Sequence, residues 1–297
     1  MKDKVYVITG PTAAGKTAAA IALAKCTNGE IISADSMQIY REMNIGTAKP
    51  TFAEREGIVH HMLDIASPNK TYSVAMFQRG AKGWIKDILR RGKTPIIAGG
   101  TGLYINALTY QLDFTKTSHN TALRSTFEGR EAGELYEELK KKDPSAAERI
   151  HQNDKKRIIR RLEIASNNSD KEKYNFRIPN DEYDFIMAGL TTERKVLYER
   201  INARVDNMLE LGIIKEAQQL FAKYGDMPNS MLAIGYKEFI PYFEGNSTLA
   251  ETVELLKKNS RHYAKRQLTW FRRDERIKWY DVILGTAQIA EQILNQR

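Results

Sequence analysis

Cysteine is nearly absent from this chain: Cys26 is the one thiol in 297 residues. A lone cysteine excludes an internal disulfide and a cysteine-built zinc site, and it fits a reducing compartment, the cytoplasm. Long apolar runs are missing too. No stretch approaches the ~18–20 residues that span a bilayer, so no membrane association is expected. The N-terminus passes straight into a strand-like run that includes Asp3, which does not fit a signal peptide. There are no internal repeats and no extended low-complexity tract. The adjacent pair His60–His61 does not share a helix face and has no further ligands beside it, so no histidine metal site is expected. Cys26, at the end of the first helix, reads as a packed side chain.

Acidic residues are outnumbered. Lys and Arg total 46 against 37 Asp and Glu, a formal net charge of +9. Such a surplus favours anionic partners without naming one. Hydrophobic residues at 42% and aromatics at 9% suffice for a sizeable core and argue against disorder. The length suits one large domain, or a domain with an insertion.

Short apolar runs at Lys4–Thr9, Glu30–Ala34, Thr94–Gly99 and Tyr183–Leu190 read as strands. Between them, Lys16–Lys25 is an Ala-rich helix. Val74, Phe77, Ala81, Trp84, Ile85 and Ile88 recur at helical spacing within Ser73–Arg91. Strands alternating with helices predict an α/β fold, a parallel sheet flanked by helices. Residues 115–175 are charged and nearly free of strand signal, and Asn167–Asn180 reads as a polar loop. The expected organisation is a core of residues 1–113 and 181–297 interrupted by a small all-helical insertion, 114–180. From Glu193 the chain reads as helical.

Gly10, Pro11, Thr12, Ala13, Ala14, Gly15, Lys16 and Thr17 fit G-x-x-x-x-G-K-[ST], placed after a strand and opening a helix. That is a P-loop, so the core reads as P-loop NTPase-like. Its backbone N–H groups and helix N-terminus attract phosphate oxygens, Lys16 adds a mobile charge, and the Thr17 hydroxyl is placed to ligate Mg2+. The loop implies a bound di- or triphosphate, not a particular reaction. Phosphoryl-transfer enzymes normally add an Asp at the end of a later strand. Here that strand reads PIIAGG. Asp35, ending the IISA run, is either a displaced metal-associated carboxylate or a base, and Asp64 reads as a strand-end cap. The Gly99–Gly102 run with Thr101 sits at the same sheet edge, where ligands bind open α/β sheets, and suggests close backbone approach to a ligand.

GPTAAGKT, DSMQIY (Asp35–Tyr40), IGTAKP (Ile45–Pro50), GGTGLY (Gly99–Tyr104) and AKRQLTWFRR (Ala264–Arg273) occur in order. Together they closely resemble the bacterial-type tRNA dimethylallyltransferases over about residues 4–280. The resemblance implies a P-loop that holds a prenyl diphosphate. It also implies Mg2+-assisted transfer of dimethylallyl to the exocyclic amine of the adenosine immediately 3′ of a tRNA anticodon, with release of diphosphate. Asp35 would be the general base, and Thr101 would position the adenine or the base. Asp35, Ser36, Met37, Gln38 and Thr101 would also meet tRNA. Arg200 and Arg204, four apart on a helix, match the segment bearing a diphosphate-binding arginine, and one or both would reach the anion.

By the same resemblance, Arg124, then Lys156, Arg157, Ile158, Ile159 and Arg160, and the loop containing Leu232, Gly235, Tyr236 and Lys237 would contact the tRNA anticodon stem-loop. Lys156 stands where the family has glutamine, the insertion is trimmed around Phe127–Leu135, and SNNSDKEKYNF replaces a Gly-Lys-Pro-like segment. Helix geometry alone places Leu256, Ser260, Tyr263, Ala264, Gln267 and Phe271 on one face of a C-terminal helix. Lys258, Arg261, Lys265, Arg266, Arg272 and Arg273 fall on the other, a basic stripe suited to RNA phosphates. Trp270 reads as packing under the stripe. A monomer acting on dimethylallyl diphosphate and tRNA is the expectation. The alternatives are a P-loop nucleotide or metabolite kinase, a prenyltransferase acting on free AMP or ADP, and a non-enzymatic RNA-binding module.

Overall fold

The structure, a computed structural model, describes residues 2–112, 121–166, 178–225, 230 and 233–296. Two compact units form, Met1–Tyr110 with Pro179–Arg297, and Gln111–Ile178.

The first unit opens with β1 (Lys4–Thr9), α1 (Lys16–Thr27), β2 (Gly29–Ser33), β3 (His60–His61), α2 (Val74–Arg90), β4 (Thr94–Ala98) and α3 (Gly102–Thr109). The second unit contributes α4 (Thr121–Glu128), α5 (Ala132–Lys142), α6 (Pro144–Ala147) and α7 (Lys155–Ser166). The first unit then resumes with β5 (Asp184–Thr191), α8 (Arg194–Glu210), α9 (Ile213–Tyr224), α10 (Ile240–Phe243), α11 (Leu249–Phe271), β6 (Lys278–Asp281) and α12 (Thr286–Leu294).

The strands form one parallel sheet in the order β3-β2-β4-β1-β5-β6. In β1, Val7 aligns with Ile97 of β4 on one side and Met187 of β5 on the other. Side chains alternate across the pleat, so β1 feeds two cores. Val5 and Val7 join Phe77, Ala81, Ile85 and Ile88 of α2, whereas Tyr6 and Ile8 join Ala20 and Leu23 of α1 and Ile289 and Ile293 of α12. Burial on both faces explains why these strands read as continuous apolar runs. Each fully buried Ile, Leu or Phe contributes about 1.5–3 kcal/mol. Ser73 caps α2 by accepting from the Met76 N–H. Trp84, also on that periodic stripe, is partly exposed and stacks on His61 at 3.9 Å.

A third cluster unites Ile39, Tyr40 and Met43 with Val205 and Met208 of α8, Ile213 of α9 and Leu256 of α11. This helical layer stands over the carboxyl edge of the sheet and creates the cleft described below.

Two strands depart from expectation. The expected helical run from Glu193 contains β6, whose four residues pair with Ala188–Thr191 of β5. Four residues are too few to show a period of two beside a long helix. The two-residue β3 pairs with Ile31 and Ile32 and is shorter still. Asp64 is no strand-end cap: its Oδ1 accepts from Lys49 Nζ at 2.6 Å. Cys26 is exposed and not packed.

The second unit has its own small core of Phe127, Leu135, Leu139, Ala146, Ala147, Ile158, Ile159 and Leu162. Most of the polar loop 167–180 lies outside the described residues, as does nearly all of the SNNSDKEKYNF segment. Among the described residues, no helix is long and apolar enough to cross a membrane.

Candidate active site

The loop between β1 and α1 curls over the sheet edge. Thr12, Ala13, Gly15, Lys16 and Thr17 line a polar cavity of about 340 Å³, while Gly10, Pro11 and Ala14 shape the loop from behind. Lys16 Nζ donates to the Pro11 carbonyl at 2.7 Å. Its ammonium opens on the cavity but is otherwise enclosed by protein. Burial, and secondarily the charge of Arg204, lower its pKa to about 8, with Asp35 opposing the shift. Gln38, Asp35, Gly99, Arg204, Tyr263 and Gln267 also line the cavity, with Ala18, Ala48 and Ala98.

Asp35 follows β2. Its Oδ1 accepts from the Met37 N–H at 2.8 Å and the Gln38 N–H at 3.3 Å. Oδ2 has no hydrogen-bond partner among the described residues, so the carboxylate is oriented by one oxygen and open at the other. Thr101 lies opposite. Its Oγ1 accepts from the Ser36 N–H at 2.9 Å and donates to Ser36 Oγ at 3.3 Å. A second cavity of about 320 Å³ adjoins, lined by Ser36, Met37, Ile201, Val205, Met208, Leu256 and other residues. Thr12, Asp35, Arg204 and Tyr263 line both cavities. One carboxylate thus stands between the P-loop cavity and a more apolar one.

Arg204 and Arg200 separate in the fold. Arg204 lines both cavities and donates to the Thr47 carbonyl at 3.3 Å. Burial pulls its pKa down, and Asp35 opposes this. Arg200, one turn earlier on α8, is exposed and lines neither cavity.

Two residues that helix spacing places on the same face as Leu256 and Phe271 join the cleft. Tyr263 reaches both cavities from α11. Burial, followed by the nearby Asp35 charge, raises its pKa to about 12, so it stays a neutral hydroxyl near neutral pH. Gln267, one turn on, is buried. Together with Ser260 they are the polar residues of a helix face that also carries Leu256, Ala264 and Phe271, and that mixture is the signal the sequence offers. Glu216 carried no such signal. It accepts from the N–H groups of Asn44, Ile45 and Gly46 and from the Tyr236 hydroxyl, pinning the IGTAKP loop. Lys49 of that loop is buried and donates to Tyr40 O, Asn44 Oδ1 and Asp64 Oδ1.

In the Gly99–Gly102 run, Gly99 lines the polar cavity, and side chains of α11 press on Gly100 and Gly102. A Cβ at Gly100 would collide with Gln267 Nε2, and one at Gly102 with the Trp270 ring. These glycines let α11 settle onto the turn, and Trp270 packs as expected.

Several residues expected at an RNA interface face inward. Ile158 and Ile159 are 0% and 3% exposed and belong to the core of the inserted unit. Tyr236 is fully buried, with its pKa raised by burial and by Glu216. Gln38 lines the polar cavity while its amide donates to the Thr47 and Ala48 carbonyls and accepts from Ser33 Oγ. Gly235 is buried, its N–H held by Glu238, and Lys237 is partly exposed; both line the second cavity. Leu232 lies outside the described residues.

In the inserted unit, Lys156 and Arg157 are exposed, the latter 3.3 Å from Asp154. Arg160 donates to the buried carboxylate of Glu163 at 3.0 Å. Arg124 donates to Glu128 at 2.8 Å and lies 3.9 Å from Glu163. On α11, Leu256, Ala264, Gln267 and Phe271 are buried, and Lys258, Lys265 and Arg266 are exposed. Arg261 instead reaches Asn202 at 2.6 Å.

Several known proteins are similar to this chain. The family model described as IPP transferase matches residues 38–274, and one described as isopentenyl transferase matches residues 3–69. The chain is 49% identical over 290 residues to the tRNA dimethylallyltransferase of Alkaliphilus oremlandii, covering 95% of this chain and 92% of that one. Among solved structures, the tRNA delta(2)-isopentenylpyrophosphate transferase of Staphylococcus epidermidis superposes with a TM-score of 0.75 at 42% identity, covering 99% and 98% of the two chains. A eukaryotic dimethylallyltransferase captured acting on tRNA gives a TM-score of 0.81 at 31% identity, over 98% of this chain and 77% of that one.

Proposed function

The chain belongs to the IPP transferase family, and from that premise we propose that it transfers dimethylallyl from dimethylallyl diphosphate to the exocyclic amine of the adenosine immediately 3′ of a tRNA anticodon. The observation that carries this reading is the shared wall of the two cavities, where Asp35 separates the P-loop space from the apolar one.

Diphosphate lies in the P-loop space against Lys16, Arg204 and the helix N-terminus of α1, which stabilise the charge that grows as it leaves. The adenine amine attacks C1 of the dimethylallyl group as the C1–O bond to diphosphate breaks. An aromatic amine is a weak nucleophile, so removal of its proton as the bond forms matters. Asp35 Oδ2 takes that proton, while the two backbone N–H groups on Oδ1 keep the carboxylate aimed. Thr101 keeps the adjoining Ser36 turn in place. Buried in a duplex, the adenosine would not reach this cleft, so it must leave its stack in the anticodon loop.

The Thr17 hydroxyl, an oxygen on the polar cavity, would hold Mg2+ together with diphosphate oxygens, which leaves the Asp35 carboxylate free to act as the base. No cluster of three or more His, Cys, Asp or Glu forms a protein-only cage among the described residues. When bound, Mg2+ would neutralise charge on the departing diphosphate.

The basic residues of the inserted unit and of α11 serve tRNA phosphates, positioning the RNA without reading its sequence. A tRNA substrate goes with a cytoplasmic setting.

Incubation with Mg2+, dimethylallyl diphosphate and unmodified tRNA, with AMP and ATP reactions in parallel, tests the assignment. Prenylated adenosine in tRNA digests is expected. Product from AMP alone, or phosphoryl transfer from ATP without prenylation, would overturn it.

A further inference from the structure

Gln267 is 6% exposed, and its amide joins two loops that are distant in sequence. Oε1 accepts from the Thr12 N–H of the P-loop at 2.8 Å, and Nε2 donates to the Gly100 carbonyl at 2.9 Å. The partners settle the amide's orientation, because an N–H only donates and a carbonyl only accepts. From Gly100 the chain runs into Thr101, whose N–H donates to the Ala34 carbonyl at 3.1 Å and whose Oγ1 accepts from the Ser36 N–H. A continuous hydrogen-bonded path therefore leads from Thr12 through Gln267 and Thr101 to the Asp35 turn.

The fit is reciprocal. Gly100 has no side chain where Nε2 must pass, and any Cβ there would collide with it. The Thr12 N–H is committed to Gln267, so an anion in the loop meets other donors. An amide offers the required acceptor and donor together, whereas a carboxylate or an apolar chain of similar size does not.

The geometry points to Gln267 as a positioning residue for prenyl transfer: its amide sets the separation between the P-loop and the Asp35–Thr101 side of the cleft. This rests on the reaction proposed above. Displacement at carbon requires the attacking and leaving groups on a common line with reacting atoms about 3–3.5 Å apart, and a misplacement of about 1 Å costs roughly 10²-fold. Loosening the bridge should therefore lower the rate of the bond-making step more than it lowers affinity for either substrate.

The test uses the full chain as wild type, Gln267→Met, Gly100→Ala and the double variant. Single-turnover prenyl transfer, KM for dimethylallyl diphosphate and tRNA binding are measured on each. Gln267→Met keeps the volume and removes both hydrogen bonds, and Gly100→Ala displaces the amide from the other side. Each single variant should lose roughly 30- to 100-fold in rate, with both substrate affinities within about fivefold of wild type. The double variant should be no slower than the slower single one, because both break the same bridge. Gln267→Glu keeps the acceptor for Thr12 and gives the same comparison should Gln267→Met fold poorly. A Gln267→Met rate within threefold of wild type, losses that multiply in the double variant, or losses confined to substrate affinity would each overturn the role. A wild-type chain that prenylates no acceptor would instead sink the reaction itself.

Discussion

The cleft and the inserted helical unit both present arginine and lysine, but they hold them differently. In the cleft, Lys16 and Arg204 are enclosed, their pKa values are pulled down by burial, and Asp35 is the carboxylate acting on both. In the inserted unit, Lys156 and Arg157 face solvent, and Arg124 and Arg160 rest against Glu128 and Glu163. Enclosed cations bind one small anion at a fixed place. Exposed cations grip a polyanion whose position can vary, and they are screened by salt. Catalytic geometry and RNA affinity should therefore be separable by mutation.

The largest effect should come from the carboxylate. Asp35→Ala is expected to lower single-turnover prenyl transfer about 10³-fold, in the range for loss of a general base, while a filter-binding assay finds tRNA affinity within threefold of wild type. Next, Lys16→Ala should lower kcat/KM for dimethylallyl diphosphate about 10²-fold, and steady-state kinetics with tRNA saturating would show it.

A pair of variants on one helix sharpens the contrast. Arg204→Gln should weaken prenyl diphosphate binding about tenfold, as expected for losing one charge-assisted contact. Arg200→Gln should change it less than about twofold. Equal losses for the two in a calorimetric titration would show that exposure on α8 does not decide which arginine meets the anion. In the inserted unit the expected effect is small. Lys156→Ala should weaken tRNA binding by no more than about fivefold and reduce the slope of log affinity against log salt by about one, measured as a binding series in salt.

Much of the cleft's floor is local in sequence and was legible there. A P-loop needs its glycines, lysine and threonine within eight consecutive positions, and Asp35 is placed by ending a strand. The roof was less legible because it is assembled from distant pieces. Tyr263 and Gln267 have the spacing of core residues, and only the partners they meet, such as Thr12 and Gly100, give them work in the site. Glu216 looks like any surface glutamate on α9 until the backbone of residues 44–46 turns its N–H groups toward it. Resemblance also blurred a distinction that burial restores: motif segments proposed to contact RNA contain inward residues, and Ile158, Ile159 and Tyr236 hold the fold while their neighbours face outward. Likewise, the glycines of residues 99–102 suggested an approaching ligand, yet side chains of α11 approach two of them. A glycine records that something comes close, not what it is.

The most direct test of the division between cleft and inserted unit is to measure two quantities on two variants: the single-turnover rate at saturating tRNA, and the tRNA dissociation constant, for Asp35→Ala and for Lys156→Ala combined with Arg157→Ala. The account predicts a crossed result, in which the first variant loses rate and keeps affinity while the second loses affinity and keeps rate. If both variants lost rate and affinity in the same proportion, chemistry and RNA grip would not be separable, and the account would be contradicted.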